Sequence, residues 1–400
     1  MLQLLEQAQI AAQQNDWPAV IDYLQQLSLK PSTNPSAGAD DQTQQQLVDL
    51  ALQVLAYGDF STRWDVAKLM PRLGSKAIAP LVAIAQDDEA DLEERWFAGR
   101  LLGEFNTPEV INTLVMLLKE ATDPDLAAIA AHALADLGAT AIEPLAKLLQ
   151  QPQSCLLATS ALVQIPNAAV ITPLLTVVNH SDAKIRAMAI DALSNFQDQR
   201  IPPVLLAALQ DTAAPVRKVA VLGLGLRSSL ATELQLLDHM QPLLHDLNLE
   251  VCQQAAIALG RLKTDAAAAL LFTELQSSLT PLPLKITLVR ALAWIESEFA
   301  LECLQRALSQ GSEPTVLEII QVLGRVSMES CKPLAAEILL TFFNTNHPTL
   351  STTPVKQALA HAWELLGDPG ATDALMQLQQ DAQPIVSIHA RSALQRLQDT

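Results

Sequence analysis

The stretch "SDAKIRAMAIDALSNF", Ser181 to Phe196, contains the pattern that decides the fold. Its apolar residues follow the spacing of one helix face: Ile185, Met188, Ala189, Ala192 and Leu193. Asp182 stands in front as a candidate N-cap, and Arg186 lies in the first turn. Several of the apolar residues are alanines, which are too small to fill an ordinary core. This helix is therefore predicted to pack closely against a similar helix.

Ten further segments repeat this helix when all copies are aligned on one anchor position, Ser194 in the quoted stretch. The other anchors are Pro71, Gly103, Ala135, Val163, Gly225, Gly260, Ala293, Gly324, Glu364 and Gln395, at intervals of 28 to 40 residues. Most copies are followed by a second amphipathic run, such as "AIEPLAKLL". A helix pair of this kind cannot bury its apolar face alone, and stacked copies share a continuous core. The sequence therefore predicts an all-α fold, an α-solenoid of about eleven repeats.

The repeat resembles the HEAT repeat, specifically the PBS-lyase HEAT-like type, from about Gln42 to the C-terminus. The resemblance rests on an apolar–basic dipeptide, a small residue and Leu-Gly after an Asp- or Pro-led turn. Ile185-Arg186 and Val216-Arg217 carry the dipeptide. Other residues stand at the basic position in several copies, among them Cys155, Cys252, Val316 and Ser387. The resemblance implies an α–α superhelix whose anchor-bearing helices line the concave side.

The N-terminal region does not fit the repeat. Residues 1–29 are predicted to form a helical hairpin, with Asp16 as an N-cap and Pro18 at the start of the second helix. Residues 30–41, "KPSTNPSAGADD", have the composition of a flexible linker. The solenoid is expected to occupy residues 42–400. Because this linker offers no apolar anchor, the hairpin is expected to make few contacts with the solenoid and to be separable from it.

Composition limits the classes of function. The net charge of −18 disfavours nucleic-acid binding, because phosphates would be repelled and no basic stripe offsets the charge. No run reaches eighteen apolar residues, so membrane insertion is not expected. The start lacks the basic region of a signal peptide. Four cysteines without C-x-x-C spacing indicate reduced, packed thiols. A cytoplasmic location is expected.

No pattern in the sequence calls for catalysis. By resemblance, the HEAT-like class includes an iron-dependent hydroxylase that binds metal through His-Glu pairs, but this chain contains no His-Glu dipeptide. The nearest two histidines, His239 and His245, are six residues apart and would not share a helix face as metal ligands do. Nucleotide-binding loops of the P-loop type are also missing. We expect no metal and no cofactor, and a non-catalytic role.

A candidate binding surface follows from the helix periodicity. Positions nine, five, two and one before each anchor should face the core. Positions seven, four and three before it, with the anchor itself, should face outward. These predict a concave, partner-binding groove that contains Trp64, Lys68, Trp96, Arg100, His132, Ile190, Leu222, Ile257, Val289 and Arg290. Its aliphatic character permits two interpretations: an apolar groove that binds a partner, or side chains that pack against one another.

Two functions remain open at this stage. The first is a protein-interaction scaffold, chaperone or assembly factor that binds another protein in the groove. The second is implied by the resemblance alone: a phycobilin lyase-like factor that binds a linear tetrapyrrole and its phycobiliprotein acceptor. Another photosynthetic or iron–sulfur assembly component is a further implied partner. Trp64 and Trp96 are expected to lie side by side, with Lys68 and Arg100 alongside, which suits a ligand with an apolar body and a carboxylate.

Overall fold

The computed structural model describes residues 2–28 and 37–399, and within these ranges it contains 24 α-helices, eight short 3-10 segments and no strand. Helices are numbered in chain order. The first three are α1 (Leu2–Gln13), α2 (Trp17–Ser28) and α3 (Ala37–Tyr57). The even-numbered helices that follow are α4 (Phe60–Ala67), α6 (Leu92–Leu102), α8 (Pro124–Asp136), α10 (Cys155–Gln164), α12 (Ala183–Ser194), α14 (Ala214–Gly225), α16 (Leu249–Arg261), α18 (Leu282–Ile295), α20 (Glu313–Gly324), α22 (Thr353–Leu366) and α24 (Pro384–Asp399). The odd-numbered ones are α5 (Ile78–Gln86), α7 (Pro108–Glu120), α9 (Ile142–Leu148), α11 (Ile171–Leu175), α13 (Ile201–Ala208), α15 (Leu236–Met240), α17 (Asp265–Gln276), α19 (Glu298–Leu308), α21 (Lys332–Phe343) and α23 (Thr372–Gln379).

The eleven helices aligned from the sequence are the even-numbered helices from α4 to α24, so the predicted all-α solenoid is confirmed. The chain divides into two compact units, Met1–Ala189 and Ile190–Thr400. Within the first unit α8 packs against both α6 and α10, and α7 packs against α5 and α9. Within the second unit each even-numbered helix from α14 to α22 packs against the next even-numbered one, and α19 packs against α17 and α21. Each unit therefore has two layers, one of even-numbered and one of odd-numbered helices.

Small residues set the distance between consecutive even-numbered helices. Glycine anchors face the alanine that lies two residues before the next anchor: Gly103 and Ala133, Gly225 and Ala258, Gly260 and Ala291, Gly324 and Ala362. A Cβ added to Gly324 would lie 2.7 Å from both Cα and Cβ of Ala362. Ala189 and Ala255 are also fully buried, as the repeat alignment predicts. The alanine-rich composition of these helices thus reflects close approach between repeats.

Basic side chains eight residues before the anchor connect successive repeats. Three of them pair with a carboxylate in the turn that precedes the next even-numbered helix: Arg63 with Asp91, Arg217 with Asp246 and Lys356 with Asp381. Arg95 instead pairs with Asp88, in the turn before its own helix. Arg217 binds Asp246 through two nitrogens at 2.6 and 2.7 Å, and also donates to the carbonyl oxygens of Asp211 and Thr212. This pairing holds the pKa of Asp246 below its ordinary value. The basic residue of the sequence motif therefore stabilises contacts between repeats.

The N-terminal hairpin is present and is docked on the first repeats. Helices α1 and α2 pack against each other and against α3, and α2 also packs against α4. The rings of Trp17 and Tyr57 stack at a centroid distance of 6.2 Å. The expectation of few contacts is therefore wrong, because helix surfaces rather than the linker provide the attachment. Residues 37–41 of the predicted linker are helical, and residues 30–36 lie outside the described residues.

Candidate partner-binding site

The positions predicted to face the core are buried. In α14 these are Val216, Ala220, Gly223 and Leu224, at nine, five, two and one residues before the anchor. The same four positions are buried in most of the other even-numbered helices. The repeat alignment therefore has the correct register.

Too many helix positions were predicted to face outward. Ile190 and Val289, four residues before their anchors, are only 1% and 0% exposed, so they do not line an open groove. The same position is buried at Ala131, Val221, Ala256, Ile320 and Ala360. An even-numbered helix in the middle of a stack is covered on two sides by its neighbours, and this widens its buried arc. Arg391, at this position in the last described helix, is exposed.

The remaining predicted residues are at least partly exposed, and most of the polar ones contact a neighbouring side chain. In the first unit the Arg100 guanidinium lies 4.0 Å from the centroid of the Trp64 ring, and Lys68 pairs with Asp65 at 2.8 Å. The exposed His132 ring lies within hydrogen-bond distance of Gln164, at 3.2 Å. In the second unit Arg290 pairs with Glu318 at 2.6 Å, and Leu222 and Ile257 are half-buried. Internal contacts therefore already hold three of these cations.

Four aromatic rings form a cluster in the first unit. Phe97 is fully buried, and its ring centroid lies 5.7 Å from that of Phe60, 6.3 Å from Trp64 and 5.2 Å from Trp96. The predicted pair, Trp64 and Trp96, thus shares Phe97 as a common neighbour, and both rings are half-buried. Phe97 fills the core beneath the cluster, and the other three rings form its outer surface.

Two of these outer rings, Phe60 and Trp96, line a pocket of about 550 Å³ between α4, α6 and α8. The apolar part of its wall comes from Phe60, Leu92, Trp96, Leu126, Ala128 and Ile129. Phe60 is 59% exposed and Leu92 48% exposed, and these two large apolar residues line the same pocket. The pocket therefore presents apolar surface that burial against another molecule would stabilise.

The edge of the pocket is acidic. Glu93, Asp123 and Asp125 belong to its wall, and residues 87–125 carry eleven acidic and three basic side chains. Glu93 pairs with Arg63 at 2.6 Å, and the Asp123 side chain accepts hydrogen bonds from two backbone N–H groups at the start of α8. No ion pair of Asp125 with any described residue is present. Burial also raises the pKa of the neighbouring Glu94. The local field thus favours a cation.

Phe60 and Leu92 were not among the residues predicted from the sequence. Both lie eleven residues before an anchor and four residues before a tryptophan, Trp64 and Trp96 respectively. Residues four apart share a helix face, so this spacing would have placed them beside the tryptophans. The predicted surface was limited to positions within nine residues of the anchor.

The described residues contain no group of three or more His, Cys, Asp or Glu side chains that could hold a metal ion. All four cysteines are buried. Burial raises the pKa of the Cys155, Cys252 and Cys303 thiols, which disfavours the reactive thiolate form. Among the helices described, none is both long enough and apolar enough to cross a bilayer.

Comparison with known proteins identifies the repeat. A family model described as HEAT repeats matches residues 89–163 and 155–225, so the chain contains HEAT repeats. This match does not single out the PBS-lyase HEAT-like type. No curated protein matches the sequence.

Several solved structures share the fold. Importin beta is 13% identical, with a TM-score of 0.55, and the match covers 97% of this chain and 59% of that one. Kap95p, from a structure concerned with its binding to RanGDP, is 12% identical with a TM-score of 0.56, over 99% and 66% of the two chains. A Kap121p mutant is 12% identical with a TM-score of 0.58, over 95% and 49%. This chain thus spans about half to two thirds of these longer proteins, and the likeness is one of fold.

Proposed function

We propose that this chain is a non-catalytic protein-interaction scaffold, and that the pocket of Phe60, Leu92 and Trp96 binds a segment of a partner protein. The exposure of Phe60 and Leu92 beside Trp96 is the observation that carries the proposal. Binding sites typically combine aromatic anchors with a rim of polar groups. Importin beta and the Kap proteins have the same type of fold, which is compatible with this role.

The charge of the pocket specifies the chemistry of the partner. An apolar side chain would fill the wall around Trp96, and a neighbouring Lys or Arg would approach Asp125 and Asp123. The sequence alone favoured a carboxylate-bearing ligand beside Lys68 and Arg100. Since Lys68 already pairs with Asp65, and the wall of the pocket contains three carboxylates and no Lys or Arg, a basic segment is the better match.

Selection from a random peptide library displayed against the full chain tests the proposal. We expect enrichment of peptides in which Lys or Arg adjoins a large apolar residue. The double variant Phe60→Ser, Trp96→Ala should lose these peptides. Leu279→Ser removes a leucine that is 91% exposed in the second unit and serves as the matched control, which should retain them. The absence of enrichment, or equal capture by the double variant, would contradict the proposal.

The alternative implied by the resemblance, a phycobilin lyase-like factor for a linear tetrapyrrole and a phycobiliprotein, is not proposed. The matching family model is the general HEAT-repeat one, and no feature of the described pockets favours a tetrapyrrole.

A further inference from the structure

Lys285 in α18 departs from the pattern of paired cations between repeats. It lies eight residues before its anchor, as Arg217 and Lys356 do. Those two residues pair with Asp246 and Asp381, each fourteen residues before the next anchor. At the corresponding position after Lys285 the chain has an amide, Gln310, in the turn "SQGS". The carboxylate that would bind Lys285 is therefore replaced by a neutral side chain.

A cavity of about 220 Å³ lies at this position in the second unit. Its wall includes Gln276, Lys285, Arg306, Gln310 and Ser312. All of its lining residues are among those that the structure describes, and none is Asp or Glu. By contrast, the partner-binding pocket of the first unit contains three carboxylates. The small cavity thus carries positive charge in a chain whose net charge is −18.

The two cations line this cavity from different helices, Lys285 from α18 and Arg306 from α19. The Arg306 guanidinium lies 4.9 Å from the centroid of the Phe272 ring, so it is directed from α19 toward α17. Neither Lys285 nor Arg306 forms an ion pair with any acidic residue in the described part of the chain. Like charges on the wall of one small cavity repel each other, and an anion bound between them would attract both.

We propose that this cavity binds a compact oxyanion, a carboxylate or a phosphate, between Lys285 and Arg306. The anion takes the place that Asp246 and Asp381 have in the other repeats. Charge-assisted hydrogen bonds from the ammonium and guanidinium groups supply the affinity. The Gln276 and Gln310 amides and the Ser312 hydroxyl are further donors in the same wall. This site is independent of the partner-binding pocket in the first unit.

Thermal melting and calorimetric titration of the full chain with sodium phosphate, sodium acetate and sodium chloride at equal ionic strength test the proposal. Phosphate, acetate or both should raise the melting temperature, and chloride should not. A response to phosphate alone assigns the site to phosphate groups, and a response to both assigns it to oxyanions in general. Lys285→Met and Arg306→Gln should each weaken binding roughly tenfold or more. Arg325→Gln removes an exposed cation elsewhere in the unit and should bind as the parent does.

Gln310→Asp gives a second test that does not depend on the loss of a cation. It restores the carboxylate at the position of Asp246 and Asp381, so the variant should melt higher than the parent without added anion. It should also lose the response to phosphate and acetate. The proposal is overturned if the parent responds equally to all three salts or to none, or if Gln310→Asp binds the anion as tightly as the parent.

Discussion

Substitution of Gly324 by alanine should destabilise the second unit, although a change from glycine to alanine in a helix usually stabilises a protein. In a helix, alanine is ordinarily about 1 kcal/mol more favourable than glycine. The added Cβ at Gly324 would lie 2.7 Å from Cα and Cβ of Ala362. The Ala362 Cα is a backbone atom, so no change of side-chain rotamer can relieve this clash. The helices α20 and α22 would have to separate, and overpacking of this kind costs about 1–3 kcal/mol. The helix-propensity gain of about 1 kcal/mol offsets part of this cost, so we expect a net loss of up to about 2 kcal/mol.

Gly99→Ala is the matched control, because this glycine is also helical and buried. Its added Cβ would lie 3.5 Å from Ile129 and 3.7 Å from Leu117, which is ordinary van der Waals contact. This variant should gain up to about 1 kcal/mol. Urea unfolding followed by circular dichroism measures the stability of both variants. The effect of Gly99→Ala is read in the transition of the first unit, and that of Gly324→Ala in the transition of the second. If both substitutions stabilise equally, close approach of the even-numbered helices does not explain the small residues.

Three further predictions test the packing of the repeats. Ile190→Ala should lower the free energy of unfolding by about 2–4 kcal/mol, because the side chain is 1% exposed. Thermal or urea unfolding measures this change, and a stability equal to that of the parent would mean that Ile190 faces solvent. Asp246→Asn should cost about 1.5–3 kcal/mol near neutral pH, since it removes the carboxylate that pairs with the largely buried Arg217 and leaves only backbone acceptors and a neutral amide. Pairing with Arg217 lowers the pKa of Asp246 in the folded state. The ion pair therefore stabilises the fold above the pKa of Asp246 in the unfolded chain, and this stabilisation is lost as pH falls through the folded-state pKa. Because the variant lacks the carboxylate, it should lose less stability in acid than the parent. Deletion of residues 1–28 should lower the melting temperature because it removes the helices that pack against α3 and α4; unchanged melting would mean that the docking contributes nothing.

The fold could be predicted from the sequence because each repeat shows the same local pattern. The apolar stripe recurs eleven times, and seven of the eleven anchors are Gly, Ala or Ser. No long-range pairing is needed to recognise this pattern. The attachment of the hairpin could not be predicted in this way. It depends on the contact of α1 and α2 with α3, and the linker composition carries no information about that contact.

The candidate site was predicted only in part, for a geometric reason. A helical wheel separates one buried face from one exposed face, but a helix in a stack is covered on two sides. Ile190 and Val289 were therefore placed in the groove although they are buried. Trp64 and Trp96 were placed correctly near the surface, whereas the acidic rim formed by residues of the adjoining turns depends on the three-dimensional arrangement.

The central claim, that the aromatic surface of the first unit binds a partner rather than stabilising the fold, can be tested most directly by one paired measurement on Trp96→Ala. The affinity of a selected basic, apolar peptide and the melting temperature are measured on the same protein. We predict an affinity loss of about 2 kcal/mol or more, roughly thirtyfold, with only a small change in melting temperature. Phe97→Ala, which empties the core beneath, should instead cost about 3–5 kcal/mol of stability. A large drop in the melting temperature of Trp96→Ala with unchanged peptide affinity would contradict the claim.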